Sequence, residues 1–114
     1  MSARYELHDP LRKVRIDLGA GPFGALLARR LYPKCLPDLR AAGLAVFQHN
    51  LRNAWDANGG QTPSVGYIDR VCVRIWAFLE ASEWRTILWS DCGSPWDDEL
   101  DTWPIVDVRE DDDQ

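Results

Sequence analysis

Polar and apolar side chains alternate near the N-terminus of the chain. In residues 12–18, RKVRIDL, every second position from Val14 onward is apolar, which is typical of a strand with one face on a core and the other in water. The pair Asp9-Pro10 separates this segment from residues 4–8, RYELH, and such a pair favours a turn. The pattern therefore predicts an N-terminal β-hairpin with one wet face.

Three later segments have apolar residues at the spacings of three and four that a helix requires. Residues 22–31 begin with a proline, which suits the first position of a helix. A second helix is predicted from residue 37 or 38 to about residue 56, where the sequence Asn-Gly-Gly soon follows and stops it. A third helix is predicted to begin with Thr62 as its cap and to carry an apolar stripe as far as Leu79.

The C-terminal part of the chain contains shorter candidate elements. The run WRTILW at residues 84–89 is rich in strand-favouring residues and is interpreted as a strand, although a continued helix would also fit. Ser94 followed by Pro95 predicts one or two helical turns through residues 97–100, DDEL. Residues 104–108, PIVDV, are expected to form a last strand.

Together these elements predict an α+β fold, in which a small antiparallel sheet, made of the N-terminal hairpin and C-terminal strands, packs with about three helices. The chain has 114 residues, 46% of them hydrophobic, which is enough to bury the core of one domain. We expect residues 1–108 to form a single compact domain and residues 109–114 to form an acidic, frayed tail.

Charge is distributed unevenly along the chain. Residues 1–90 contain 12 Lys and Arg and 8 Asp and Glu, a net charge of +4, whereas residues 91–114 contain one Arg and 10 acids, a net charge of −9, which together give −5. Such asymmetry bears on partners rather than on the fold. It predicts a basic partner protein and no direct binding of nucleic acid, although one basic cluster is present at Arg29, Arg30, Lys34 and Arg40.

The sequence also predicts a cytoplasmic location and no association with membranes. Its first ten residues, MSARYELHDP, lack the apolar centre of a signal peptide. The longest apolar or glycine run, AAGLAVF, is far below the ~20 residues that a membrane span needs. Cys35, Cys72 and Cys92 are odd in number and form no CxxC pair, which favours reduced thiols.

A glycine turn, GAGPFG, joins the second predicted strand to the first predicted helix. The sequence VRIDLGAG resembles the first motif of the class I S-adenosylmethionine-dependent methyltransferases, in which an acid and a glycine turn follow the first strand. The resemblance implies that Gly19, Gly21 and Gly24 would let a cofactor approach the backbone.

The strand before this turn alternates polar and apolar residues, whereas the first strand of a doubly wound sheet is apolar throughout. No acid follows about 20 residues later at the end of a second strand, where a dinucleotide site would need one. We therefore interpret the glycines as a strand-to-helix turn and expect no cofactor. A minimal nucleotide- or S-adenosylmethionine-binding domain is the alternative.

No pattern of residues indicates catalysis or a metal site. His8 and His49 have no cysteine or acid at zinc-ligand spacing, so a site drawn from Cys35, His49, Cys72 and Cys92 would need all four to converge in the fold. No serine lies in a nucleophile elbow, and the acids of residues 97–101 lack the glycine of a calcium loop. We predict that the protein is not an enzyme and holds no metal.

Tryptophan and acidic residues coincide in the C-terminal part of the chain. Five of the six tryptophans lie between positions 76 and 103, and two of them, Trp96 and Trp103, stand among acids. Exposed tryptophan among charges is typical of a protein-binding hot spot. The candidate partner-binding residues are Trp89, Trp96, Asp97, Asp98, Glu99, Asp101 and Trp103.

These observations predict a small acidic protein-binding module that inhibits a partner by covering its basic, nucleic-acid-binding surface. Phage anti-CRISPR and anti-restriction proteins and toxin-immunity proteins are similar in size and charge, and the analogy extends no further. Two alternatives stay open: a structural subunit that self-associates through its tryptophans, and an acidic tail that folds onto the chain's own basic body.

Overall fold

The computed structural model describes residues 3–57, 64–92 and 95–108, with Asp107 described through its backbone alone. Within these ranges, two strands are followed by four α-helices and two further strands, with short 3-10 helices at Pro33–Cys35 and Asp98–Thr102. None of these helices has the length and apolarity of a membrane-spanning segment. The elements are β1 Arg4–Asp9, β2 Val14–Ala20, α1 Gly21–Arg30, α2 Leu36–Ala42, α3 Leu44–Ala57, α4 Val65–Ala81, β3 Ile87–Ser90 and β4 Ile105–Asp107.

The strands form one mixed sheet in the order β3-β1-β2-β4. The predicted α+β fold and the N-terminal hairpin are confirmed: β1 pairs antiparallel with both β2 and β3. The sheet was expected to be antiparallel, and this expectation was wrong for one strand, because β4 pairs parallel to β2. Since β3 and β4 therefore run in the same direction at opposite edges, the chain between them must cross a face of the sheet.

The helices cover the other face of the sheet and form the core with it. Leu7 of β1 and Ile16 and Leu18 of β2 are at most 1% exposed. Burying one such side chain contributes about 1.5–3 kcal/mol, so this apolar layer holds the sheet and helices together. Its helical side includes Leu26, Leu27, Leu31, Phe47, Leu51, Ile68, Val71, Ile75 and Leu79.

The second predicted helix is two helices in the structure, and the prediction of one continuous helix was wrong. The break lies at Gly43, whose φ of 98° is outside the helical region and is accessible to glycine at little cost. Its N–H donates to the carbonyl of Leu39 at 3.1 Å and so closes α2. The apolar spacing is the same on both sides of this glycine, which is why the pattern alone did not show the break.

The other boundaries differ less from the sequence predictions. The predicted cap Thr62 lies outside the described residues, and Ser64 caps α4 by accepting the N–H of Tyr67 at 3.3 Å. The predicted 84–89 strand is present as β3 but begins only at Ile87. Trp84 and the residue before it have φ of 61° and 55°, a left-handed conformation that ends the helix and cannot belong to a strand.

The helical turn predicted near residues 97–100 is a 3-10 helix capped by Asp97, whose side chain accepts the N–H of Glu99. The predicted cap, Ser94, lies outside the described residues, as does the predicted tail of residues 109–114. The predicted last strand is present as β4. The division into one domain of residues 1–108 and a tail stays a prediction.

The glycine turn brings α1 close to β2. A Cβ at Gly24 would lie 2.8 Å from the carbonyl oxygen of Gly19, closer than real Cβ atoms approach an oxygen. Gly19 and Gly21 have φ of 90° and 79°, values that L side chains rarely adopt. These three glycines therefore set the angle and the close approach between the strand and the helix.

We predict that Gly24→Ala lowers the free energy of unfolding by about 1–3 kcal/mol, because the added Cβ forces α1 away from β2. The matched control is Gly66→Ala in α4, where a Cβ would meet only the side chain of Arg70 at 3.6 Å. The control is expected to be neutral or to gain about 0.5–1 kcal/mol. Urea unfolding of both variants measures the difference, and equal losses would contradict the packing role of Gly24.

Candidate protein-binding site

The face of the sheet away from the helices carries ionisable side chains. Glu6 and His8 lie on β1, and the register places Asp17 and Arg15 of β2 beside them. Glu6, His8 and Asp17 are only 3%, 6% and 3% exposed. The alternating pattern predicted a wet face here, and this expectation was wrong because the crossing chain covers the face.

Glu6 lies at the centre of this buried cluster. Its carboxylate accepts a hydrogen bond from Nε2 of His8 at 2.9 Å. One terminal nitrogen of Arg15 lies 3.1 and 3.2 Å from the two carboxylate oxygens. Because an ionised carboxylate can only accept, Nε2 of His8 carries a proton. Glu6 therefore ties β1 to β2 and fixes the His8 ring beside Arg15.

Opposing effects set the pKa of Glu6. Burial is the largest single effect and raises the pKa, because it disfavours the charged form. Hydrogen bonds and charge interactions with His8 and Arg15 lower it and together outweigh burial, so the pKa of Glu6 lies below its ordinary value. The carboxylate is ionised at neutral pH, and its ionisation stabilises the folded chain.

Asp17 forms a second ion pair on the same face. Its carboxylate accepts hydrogen bonds from a terminal nitrogen of Arg4 and, at 2.8 Å, from the backbone N–H of Gly19. Asp17 and Gly19 belong to the segment that resembles the methyltransferase motif, and here the acid is held against the glycine turn of its own chain. The antiparallel pairing of β1 with β2 also differs from the parallel sheet of a doubly wound fold. Cofactor binding at Gly19, Gly21 and Gly24 stays an untested alternative.

Three tryptophans cover the cluster. Trp89 of β3 stacks on His8 with ring centroids 5.9 Å apart and planes 14° apart, and Trp103 meets the same ring edge-on at 5.9 Å. Trp96 packs edge-on against Trp89 at 5.3 Å, and the Arg15 guanidinium lies 5.5 Å from the centre of the Trp96 ring. An aromatic pair contributes about 0.5–1.5 kcal/mol beyond its buried area, so these contacts hold the crossing chain on the sheet.

Residues 95–103, called the acidic segment below, contain four acids and no basic residue. All four acids, Asp97, Asp98, Glu99 and Asp101, are exposed. Two of them also have structural contacts. Asp97 accepts the N–H of Glu99 at 3.0 Å, and Glu99 lies 3.0 Å from Nζ of Lys13 in the hairpin turn. The segment therefore presents negative charge from a fixed position.

The tryptophans at the acidic segment differ in their exposure. Trp96 is 44% exposed, whereas Trp89 and Trp103 are half-buried against His8. The structure thus brings together all seven residues that the sequence singled out, with Trp96 outermost and the other two tryptophans beneath. Whether these residues bind a partner stays a prediction.

The sequence reasoning missed the residues that support this surface, namely Glu6, His8 and Arg15. Their signal was present in the alternating polar positions of the two strands, which are Arg4, Glu6, His8, Arg15 and Asp17. Alternation shows that these side chains share a face. It does not show that a distant segment covers the face and turns a solvated side into a buried network.

The three cysteines and the second histidine were the other residues considered as metal ligands. His49 of α3 contacts the side chain of Asn53 at 3.0 Å, and Cys35, Cys72 and Cys92 are free thiols. Burial raises the pKa of Cys72 to about 12, so this thiol is protonated and poorly nucleophilic at neutral pH. Among the described residues, no three His, Cys, Asp or Glu side chains come together as metal ligands would.

Comparison with known proteins found no family model, curated protein or solved structure that matches this chain.

We predict that Glu6→Gln lowers the free energy of unfolding by about 3 kcal/mol at neutral pH, because it leaves the charge of Arg15, whose side chain is only 11% exposed, uncompensated. In the parent chain, the stabilisation from Glu6 is fully present above its unfolded pKa of about 4.3. It is lost as pH falls through the lower folded pKa, so Glu6→Gln is expected to flatten this acid dependence.

The control for this prediction is Glu99→Gln, which removes a carboxylate whose side chain is 49% exposed and pairs with Lys13 at the surface. An exposed pair of this kind contributes at most about 1 kcal/mol. Chemical unfolding between pH 2.5 and 7, followed by tryptophan fluorescence, measures both variants. If the Glu6 variant keeps the acid dependence of the parent chain, the assigned role of this carboxylate is incorrect.

Proposed function

We propose that this protein is a protein-binding module that inhibits a basic partner by covering the partner's nucleic-acid-binding surface. The observation that carries the proposal is the 44% exposure of Trp96, directly followed in the chain by exposed acids. The contact surface consists of the acidic segment with Trp89 beneath it. The proposed action is occlusion in the cytoplasm, and it requires no catalysis, cofactor, membrane or direct contact with nucleic acid.

Trp96 is suited to anchor such a complex. Part of its ring surface is already packed against Trp89 and Arg15, which restricts the side chain before a partner arrives. The remaining surface is free to enter an apolar depression on the partner, where a tryptophan commonly supplies much of the binding energy. Prior ordering also reduces the entropy lost on association.

The acids around Trp96 suit a partner that normally binds nucleic acid. Such a partner presents Lys and Arg side chains spaced to meet phosphates. Exposed carboxylates at Asp97, Asp98 and Asp101 can accept hydrogen bonds from the same groups. Their charge also increases the rate of association at low ionic strength. Phage or mobile-element antagonists such as anti-CRISPR proteins provide an analogy of size and charge.

Neutralising the acidic segment is expected to abolish capture of the partner. In the test variant, Asn or Gln replaces Asp97, Asp98, Glu99 and Asp101. Asn at position 97 still caps the 3-10 helix, so the fold is kept. The control replaces four exposed acids elsewhere with their amides, and so has the same net charge; these are Asp38, Asp56, Glu80 and Glu83.

Each immobilised variant is incubated at low salt with lysate of the cells that produce the protein. A nucleic-acid-binding protein retained by the parent and control chains, lost by the test variant and eluted by salt is the expected result. The purified partner must then lose its nucleic acid as the parent chain is added. Equal retention by the test and control variants, or undiminished nucleic-acid binding, would overturn the proposal.

Trp96→Ala is expected to weaken the same complex by about 30-fold or more, corresponding to the ~2 kcal/mol of a hot-spot residue. The matched control is Tyr32→Ala, an aromatic of similar exposure, 46% against 44%, that lies far along the chain from the acidic segment. Titration calorimetry with the captured partner compares the two. Similar affinities of both variants would mean that Trp96 is not the anchor.

A further inference from the structure

β4 forms one edge of the sheet, and no strand among the described residues pairs with its outer side. The residues on either side of β4 hydrogen-bond to β2: the N–H of Arg15 donates to Pro104 O at 3.0 Å, and Val108 N–H donates to Asp17 O at 3.4 Å. Parallel strands bond through alternate residues, so Ile105 and Asp107 direct their backbone groups away from the sheet. These groups form a short template for another strand.

The side chains of β4 also leave apolar surface open on both faces of this edge. Ile105 pairs with Arg15 and so lies on the face that the acidic segment crosses, while Val106 pairs with Ile16 and lies on the helix side. Both are 45% exposed. Consecutive exposed β-branched residues on an edge that no other described strand pairs with are unusual, because such edges promote association.

Charge decides which strand the edge can accept. The acidic segment leads directly into β4, and residues 91–114 carry a net charge of −9. Pairing of two copies through β4 would bring two such regions together and is opposed by their repulsion. An extended segment that is basic on the outer face and apolar on the helix side would complement both the acids and the exposed Val106.

We infer that the partner binds by adding an extended, lysine- or arginine-rich strand to the β4 edge, beside the acidic segment. This inference rests on the proposed function and specifies its binding mode. Backbone hydrogen bonds to Ile105 and Asp107 would fix the register, and alternate basic side chains would meet the acids. Such addition is β-augmentation of the sheet from four strands to five.

The test uses the full chain and a blocked peptide, acetyl-KVKVKVK-amide, as the probe. Its control is the same peptide methylated on every backbone nitrogen, which keeps all four charges and cannot donate to a strand. The protein variant is Ile105→Pro, which removes an outward N–H while leaving the backbone hydrogen bonds of Pro104 and Val108 to β2. Circular dichroism and thermal unfolding establish that this variant is folded.

The expected result is that the parent chain binds the unmodified peptide at least about tenfold more tightly than the methylated one. Ile105→Pro removes this preference, and amide exchange at Ile105 and Asp107 slows when the unmodified peptide is bound. Val106→Lys is a second variant that keeps the backbone intact, and it is expected to weaken binding through charge repulsion and loss of the apolar contact.

Two other outcomes would overturn strand addition. Equal binding of both peptides that disappears when the four acids are neutralised would show a charged surface without pairing, and the proposed function would still stand. Binding of neither peptide would remove the strand-addition mode, while capture of a basic partner by the acidic segment would be judged independently by the lysate experiment.

Discussion

The structure depends on one buried carboxylate. Glu6 accepts hydrogen bonds from His8 on its own strand and from Arg15 on the next, and so converts a row of charged side chains into a network that can be covered. Without this carboxylate, the Arg15 charge would be buried without compensation, at a cost larger than any single aromatic contact above it. The acidic segment can lie on the sheet because the charges of Glu6 and Asp17 beneath it are paired with Arg15 and Arg4.

His8 connects the buried cluster to the tryptophans that lie over it. Glu6 accepts a hydrogen bond from Nε2 of the imidazole. Trp89 stacks on that ring, and Trp103 packs against it edge-on. Trp96 packs against Trp89 and Arg15, and it is the most exposed of the three tryptophans. For the proposed function, these contacts mean that Trp96 is already packed against its neighbours before a partner arrives, which reduces the entropy lost on association.

The candidate site has two layers, a buried one in which charges are paired and an exposed one that is acidic. Beneath the acidic segment, Glu6 pairs with Arg15 and Asp17 pairs with Arg4. These pairs stabilise the fold and orient the side chains that contact the tryptophans. Above it, the acids Asp97, Asp98 and Asp101 are exposed, as the proposed binding of a basic partner requires. The parallel pairing of β4 with β2 brings the end of the acidic segment to an edge of the sheet with which no other described strand pairs.

The sequence by itself determined the hairpin, three helical regions and the uneven charge, and it singled out the seven residues of the candidate surface, because alternation, helical spacing and composition are local properties. It did not locate the break at Gly43, since the apolar spacing continues across it. Only the tertiary structure decided that β4 runs parallel to β2 and that Glu6, His8 and Asp17 are buried. Both results come from a chain that crosses the sheet between distant strands, and the local pattern of a strand carries no information about which segment will cover it.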